Sequence, residues 1–301
     1  MTFTQLHGGV ENDTHLVKSE NNQFILRIYN QMHSIRGKRS EASIQQELTF
    51  MQKAGEQGIP VPAIIPTKQG KLFGVTQLDE GEFFVALFSY VEGISPSAVT
   101  QVMAAEIGGI VNNLFAVGSQ FYKQGSLEEL SIVQRAFQSG EVLNTLSNPL
   151  SKELQKDLAA LHHSLQDEYH AFLQKNLSRG LVHGDIKVEN LLFSTENNLV
   201  AILDFDDYRY SYLVEEACMA LMHNLHDTSK NIIRSGNYTS FMNILTDAVL
   251  QKELSLGLPF LLKVRFLYDC LKYLKKGKVI LVEELWTDPF INQNILSPKR
   301  K

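Results

Sequence analysis

Cysteine is scarce: only Cys218 and Cys270 occur in 301 residues. One bridge at most could form, too few to staple a chain of this length, which points to a reducing compartment. Neither cysteine has the spacing of a metal site. A basic excess is also missing, since 28 Lys and Arg face 33 Asp and Glu for a formal net charge of −5. Proteins that bind a phosphate backbone need a basic stripe to displace counterions, so nucleic acid is excluded as the main partner. Apolar stretches such as Pro259 to Leu274 carry charges well short of membrane-spanning length. The first residues, MTFTQLHGG, lack the basic and apolar regions of a secretory leader. The expectation is therefore a cytoplasmic protein with no membrane partner. Internal repeats and low-complexity segments are absent too, and 44% hydrophobic with 20% charged positions excludes disorder and collagen-like repetition. Such a chain can bury one large core or two modest ones.

What is present changes character once along the chain. Up to about Tyr90 short strand-like runs surround one helix, and after Ser97 long helical periodicities dominate. Two lobes are expected, residues 1–91 and 92–301. His15 to Lys18 and Phe24 to Tyr29, separated by Glu20, Asn21 and Asn22, predict a hairpin. A helix is predicted from Ser40 to Gln57, with Ile44, Leu48 and Met51 on one face and Gly58 and Pro60 to stop it. Lys71 to Gln77 and Phe83 to Tyr90 read as further strands. Leu154, Leu158, Leu161, Leu165, Tyr169 and Phe172 form an apolar stripe on a helix from Ser151 to Lys175. On it, His163 and Asp167 have the one-turn spacing of a metal pair but read as helix surface. Leu258 to Leu274 is apolar nearly all round and is predicted to be buried, and Ser297 to Lys301 reads as a solvated basic tail.

The chemistry concentrates in LVHGDIKVENLLFSTENNLVAILDFDD, Leu181 to Asp207. Leu181 and Val182 deliver a polar loop, His183 to Asn190; then Leu191 to Phe193 and Leu199 to Leu203 flank a turn and form a hairpin. That order brings Asp185, Asn190 and Asp204 together, two carboxylates and an amide oxygen. Hard oxygen ligands of this kind suit magnesium, which completes its shell with phosphate oxygens and water. One carboxylate can hold the metal while the other orients a hydroxyl.

Asp185, Asn190 five residues on, and Asp204 after a hairpin are similar to the catalytic loop and metal-binding aspartate of kinase folds. Gly184 of HGD stands where protein kinases usually carry arginine, and here the chain resembles the aminoglycoside phosphotransferase and choline kinase superfamily, which includes homoserine kinases of the protein-kinase-like type. The resemblance implies an α+β, two-lobed protein-kinase-like fold, with a small N-terminal antiparallel-sheet lobe and a larger, mostly helical C-terminal lobe. It implies Asp185 as the orienter or base for the acceptor hydroxyl, Asn190 and Asp204 as magnesium ligands, and Lys187 as a neutraliser of charge on the transferred phosphoryl group. Lys187 departs from the histidine frequent there and resembles the HRDxK of protein kinases.

Upstream, GGVENDTHLV followed by FILRIY looks like the nucleotide loop of the same superfamily, with Gly8 and Gly9 letting backbone amides approach phosphate. Arg27 then takes the place of the third-strand cation, Glu47 that of its helix partner, and Ser89, Tyr90 and Val91 that of the linker whose backbone binds adenine. Gly37-Lys38-Arg39-Ser40 echoes the end of a Walker A loop but lacks its first glycine and is rejected. Glu216 lies where the superfamily usually has an aspartate opening a buried helix. Glu92, Asp207, Glu215 and Asp269 are candidates for an anionic wall around a cationic acceptor, with solvated helix faces as the alternative.

The resemblance thus implies a kinase that uses ATP and Mg2+, bound between two lobes, to phosphorylate a small-molecule hydroxyl. Amino alcohols and hydroxy amino acids rank first among acceptors, and aminoglycosides or other antibiotics second, because the PKRK terminus is unlike the acidic one that holds aminosugars. A protein kinase is disfavoured: no A-P-E follows Asp204, and helical EEACMALMHNL begins within about ten residues of DFDD. A non-catalytic nucleotide sensor would be expected to have lost one of Arg27, Glu47, Asp185, Asn190 or Asp204, and all are present.

Overall fold

The computed structural model describes residues 1–6, 12–29, 39–79, 81–121, 132–140, 143, 152–224, 226, 227, 232, 233 and 235–287. Gly8, Gly9, the Gly37-Lys38 pair and the basic tail lie outside these residues. The chain divides into two compact units, Met1–Ser95 with Asn190–Asp206, and Pro96–Glu189 with Asp207–Lys301. The first unit therefore takes in a hairpin that chain order would assign to residues 92–301.

The first unit is built on a six-stranded antiparallel sheet. Its strands are β1 (Thr2–Leu6), β2 (Asp13–Lys18), β3 (Gln23–Tyr29), β4 (Ile64–Ile65), β5 (Gly74–Leu78) and β6 (Gly81–Ser89). They run in the order β1-β2-β3-β6-β4, with β5 also paired to β6. The predicted hairpin is β2–β3, closed by Ser19 N–H donating to the Asn22 carbonyl at 2.9 Å. Helix α1 (Glu41–Glu56) begins where a serine can cap it: Ser40 Oγ accepts the Ser43 N–H at 3.1 Å. Its buried face carries Ile44, Leu48 and Met51 as the periodicity requires, with Phe50, Ala54 and one charged residue, Glu47. Gly58, at φ +79°, turns the chain out of the helix. Strand β5 starts later than the alternation suggests, at Gly74, because Thr67 N–H and Gly70 N–H close a turn onto Lys71 and Thr67.

Strands β8 (Leu191–Phe193) and β9 (Leu199–Ile202) form the remaining hairpin of this unit, with a register irregularity between Leu192 and Phe193. It is held to the sheet side by Ile202 N–H on the Pro60 carbonyl (2.8 Å) and by a reciprocal Ile94–Phe193 bridge at 2.9 Å each way. At Gly93 a Cβ would lie 2.8 Å from Val200 and 2.9 Å from Leu192, so this passage requires glycine.

The second unit is mostly helical: α2 (Gln101–Ser119), α3 (Ile132–Ser139), α4 (Lys152–Leu173), α5 (Glu215–Asn224), α6 (Ser235–Ile244), α7 (Ala248–Lys275) and α8 (Val279–Thr287). Two short antiparallel strands, β7 (Arg179–Val182) and β10 (Arg209–Tyr212), pair within it, as do Ile232–Ile233 and His226–Asp227. The α4 stripe packs into an aromatic cluster, where Phe172 stacks on Phe260 at 4.3 Å and meets Tyr212 edge-on at 4.8 Å. His163 and Asp167 form a 3.8 Å pair on α4 with both side chains about three-quarters exposed, a solvent-facing pair.

Two helices correct the sequence reading. The apolar stretch from Leu258 to Leu274 is only part of its helix, since α7 runs unbroken through Pro259 from Ala248, capped by Asp247 accepting the Leu250 N–H at 2.8 Å. Burial of Leu250, Leu254, Gly257, Leu258 and Leu261 outweighs the backbone hydrogen bond that proline forfeits. Helix α2 is long and apolar enough to cross a membrane, a property the sequence reading does not assign to it; here Ile107, Val111, Leu114 and Phe115 are buried core. Its close fit explains Gly108 and Gly118. A Cβ on Gly118 would fall 2.2 Å from the Leu181 carbonyl oxygen. Gly118→Ala is accordingly expected to destabilise by about 1–3 kcal/mol, read as an equal fall in unfolding free energy in urea.

Candidate active site

The first unit presents a charged cluster at the centre of its sheet. Arg27, on β3 between Thr14 and Ala86, reaches Asp206 Oδ1 at 2.8 Å, Glu47 Oε1 at 3.5 Å and Asp204 Oδ1 at 3.6 Å. Glu47 is sealed beneath it and accepts the Tyr29 hydroxyl at 3.1 Å. Burial, with Asp206 adding repulsion, pushes Glu47 up to about 7 in spite of Arg39 and Arg27. For Arg27, burial opposes the charged form, but Asp206, Tyr29, Glu47 and Asp204 together raise it further. The sequence reading pairs Arg27 with Glu47 and overlooks two members: Arg39 lies 2.6 Å from Glu47 Oε2 and 3.3 Å from Asp206 Oδ1, and Asn12 donates to Asp206 Oδ2. The available signal is position alone, Arg39 standing just ahead of the α1 cap.

The β8–β9 hairpin sets the two expected metal ligands side by side. Leu203 N–H donates to the Asn190 carbonyl at 2.8 Å, closing the hairpin mouth with Asn190 on one side and Asp204 on the other. Asp204 has φ +60°, an uncommon conformation for a residue with a Cβ. Phe205 follows and anchors the turn by packing edge-on to Phe50 of α1 at 5.7 Å. Asn190 is buried, and the Asp204 side chain is 42% exposed. No group of three or more His, Cys, Asp or Glu side chains able to hold a metal occurs among the described residues. An amide and a carboxylate alone suit a cation that draws most of its shell from phosphate and water, which is magnesium chemistry. At the strand end, Ser89 exchanges bonds with Ala63, its N–H to the carbonyl at 2.8 Å and its Oγ accepting the Ala63 N–H at 2.9 Å, and Tyr90 N–H reaches the Gln23 carbonyl at 3.4 Å. Val91 follows directly, so the segment 89–91 is tethered to the sheet.

The second unit holds the loop His183–Glu189, and three buried side chains clamp its backbone. Glu216 accepts the N–H groups of His183 and Gly184. Arg209 donates to the Gly184 carbonyl at 3.4 Å, to the Asp207 carbonyl at 2.9 Å and to Glu215. Asn224 donates to the Ile186 carbonyl at 2.8 Å. Gly184 has φ +77°, and a Cβ there would sit 2.0 Å from the Arg209 guanidinium, so the motif needs glycine for both reasons. Between these anchors Asp185 projects its carboxylate 2.7 Å from Lys187 Nζ. Burial works against ionisation of Asp185, but the hydrogen bond and charge of Lys187, with His183 and Arg265, hold its carboxyl below the usual range.

Burial pushes Glu216 up to about 8, since Arg209 only partly compensates. Above a pH near 4.5 the unfolded chain releases this proton while the folded one keeps it, so stability falls as pH rises toward 8. Glu216→Gln is expected to flatten that part of the thermal stability profile between pH 5 and pH 8, measured by calorimetry.

Other polar groups near Asp185 come from α5 and α7. Arg265 donates from Nε to Asp269 Oδ2 at 2.9 Å, and its Nη2 lies 3.0 Å from His223 Nε2. Burial, reinforced by Arg265, lowers His223 to about 4, so its ring is neutral with Nε2 turned to the arginine. Of the four candidates for an anionic wall, three are paired with arginines. Glu215 is buried and consumed by Arg209 and Ser211. Asp207 lies 3.7 Å from Arg135, and the charge of Asp269 is matched by Arg265.

An antiparallel sheet with one helix, followed by a mostly helical part, is the protein-kinase-like architecture. Residues 2–235 match the phosphotransferase enzyme family, APH, and the chain belongs to it. It is 31% identical over 210 residues to an uncharacterized protein of Deinococcus radiodurans, covering 68% of this chain and 56% of that one. It is 24% identical over 205 residues to a homoserine kinase of Rhodopseudomonas palustris, covering 68% and 58%. The match thus spans little more than half the length of these relatives. Among solved structures, a microcompartment-associated aminopropanol kinase is similar with a TM-score of 0.68 and 18% identity, over 95% of this chain and 89% of that one. Amicoumacin kinase hAmiN, in complex with AMP-PNP, Ca2+ and Ami, has a TM-score of 0.68 and 15% identity, over 97% and 89%.

Proposed function

We propose that this protein transfers the γ-phosphoryl group of ATP to the hydroxyl of a small molecule, an amino alcohol, a hydroxy amino acid or a compound of similar polarity. The observation that carries the proposal is Asp185: a carboxylate kept ionised by Lys187 on a loop whose backbone is held at Gly184 and Ile186 by buried side chains. Such a group can accept a hydrogen bond from an alcohol and orient it for attack, with no further covalent chemistry asked of the protein. Lys187 would carry positive charge to the transferred group, and Arg27 would bind phosphate. Ser89, Tyr90 and Val91 would supply backbone contacts to adenine. Asn190 and Asp204 would hold Mg2+, which when bound neutralises phosphate charge. The homoserine kinase and aminopropanol kinase relatives act, by their names, on a hydroxy amino acid and an amino alcohol, which supports this acceptor class. The kinase of amicoumacin supports antibiotics as a second class. A cytoplasmic setting is part of the proposal, in keeping with two buried free cysteines.

The test is ADP release from ATP and Mg2+ against a panel of amino alcohols, hydroxy amino acids and aminoglycosides. Acceptor-dependent ADP with a matching phosphorylated product is expected. ATP binding with no consumption across the panel would overturn the proposal and favour a nucleotide sensor.

A further inference from the structure

We propose that Arg39 is a second cation of the nucleotide-phosphate site, forming with Arg27 a two-arginine clamp for a nucleoside di- or triphosphate. The inference rests on the nucleotide-binding reading above and adds a residue from the GKRS segment that motif analysis discards.

Two guanidinium groups converge on the same pair of acids. Asp206 Oδ1 takes Arg27 at 2.8 Å and Arg39 at 3.3 Å, while Glu47 takes Arg39 at Oε2 (2.6 Å) and Arg27 at Oε1 (3.5 Å). A structural ion pair for Glu47 needs one cation, and Arg39 alone, at 2.6 Å, supplies it. The arrangement instead brings both arginines to Asp206, the second residue after the expected metal ligand Asp204, which itself lies 3.6 Å from Arg27. Depth separates the participants. The Glu47 side chain is 1% exposed, whereas Arg39, Arg27 and Asp206 are 11%, 17% and 13% exposed. The two cations and the acid they share thus form the outer layer of the cluster, within reach of a ligand, with Glu47 sealed below.

Arg39 is also held for such a role. Its guanidinium lies 5.6 Å from the centre of the Tyr29 ring, and its Nη2 donates to Ser43 Oγ at 3.2 Å in the first turn of α1. Planar guanidinium forks donate along more than one edge, and phosphate oxygens match that geometry bidentately, so a polyphosphate can compete with Asp206 for both arginines. Recognition of this kind depends on the phosphates and is indifferent to the nucleoside.

Isothermal titration calorimetry with ATP, ADP and adenosine on wild type, Arg39→Gln and Arg39→Lys tests this. Arg39→Gln is expected to weaken ATP roughly 10–100-fold, the loss associated with a charged hydrogen bond, and ADP by a similar or smaller factor, with adenosine unchanged. Arg39→Lys should recover part of the loss, since it restores charge without the fork. An unchanged ratio of ATP to adenosine affinity in Arg39→Gln, with lowered thermal stability, would overturn the proposal and leave Arg39 as an anchor of α1. If Arg39→Gln does not fold, the wild-type protein decides: ATP but not adenosine should slow phenylglyoxal modification of Arg39, read by peptide mass spectrometry, and equal rates would overturn it. Absence of ATP binding by the wild type would instead remove the nucleotide reading itself.

Discussion

Asp185→Asn is expected to lower acceptor-dependent ATP turnover by roughly 10²–10⁴-fold, the range for loss of a positioned general base, with ATP affinity and thermal stability little changed. Asparagine preserves the shape of the side chain, and the clamps on the loop are backbone contacts that the substitution leaves in place: Glu216 on the amides of His183 and Gly184, Arg209 on the Gly184 carbonyl, Asn224 on the Ile186 carbonyl. What it removes is the charge. Because Lys187, at 2.7 Å, overcomes burial and holds the Asp185 carboxyl below its ordinary value, the acid limb of the kcat profile should lie below the usual carboxylate range. Lys187→Met should move that limb to higher pH, since burial would then act on Asp185 with less opposition. Undiminished turnover in Asp185→Asn, measured by coupled ADP detection, would take Asp185 out of the chemistry.

Arg209→Met is expected to cost about 3–5 kcal/mol of folding free energy, the largest stability effect of any single substitution proposed for this chain. The guanidinium is buried and bonded to Glu215, to the Asp207 carbonyl and to the Gly184 carbonyl. Its removal leaves the Glu215 carboxylate buried with Ser211 alone as a side-chain donor among the described residues. Replacing both members, Arg209→Met with Glu215→Leu, should recover much of that loss, because no uncompensated charge remains. Turnover should stay low in the double variant, since the Gly184 anchor beside Asp185 is gone. Urea titrations with kinetics on the same three proteins check both parts. Recovery of activity together with stability would show that Arg209 serves the fold alone.

The legible parts of this protein are those where cause and effect lie within a few residues. Ser40 caps α1 because an exposed hydroxyl precedes a run with apolar residues at helical spacing, and Ser19 to Asn22 turn because polar, turn-forming residues separate two short apolar runs. The return of the chain from Asn190 to the residue before Asp204 is likewise readable, since a hairpin lies between them, and the Leu203–Asn190 bond at 2.8 Å is its direct consequence. Arg27 and Glu47 can be paired only through resemblance, since a separation of 20 positions carries no geometric instruction.

Local pattern says nothing of the groups that hold the loop. Glu216, Arg209 and Asn224 act on it from 25 to 38 residues away; Glu216 stands out in the sequence only through resemblance, and Arg209 and Asn224 look like ordinary strand and helix polars. Glu215 reads either as part of an anionic wall or as a solvated helix face, yet it is the buried partner of Arg209, because its neighbours on β10 are set by strand pairing with β7. The helical stretch predicted from Leu258 begins ten residues earlier, at Ala248, and carries Pro259 in its interior, since packing of the apolar face exceeds one lost backbone bond. Arg39 belongs to a motif that fails, and its place beside Glu47 follows from where α1 packs. Secondary structure and the succession of chemical groups obey short-range sterics and hydrogen bonding, which are written residue by residue. Which buried charge meets which, and therefore which groups are left to act on a ligand, depends on long-range packing, where desolvation makes each ion find a partner that chain order does not name.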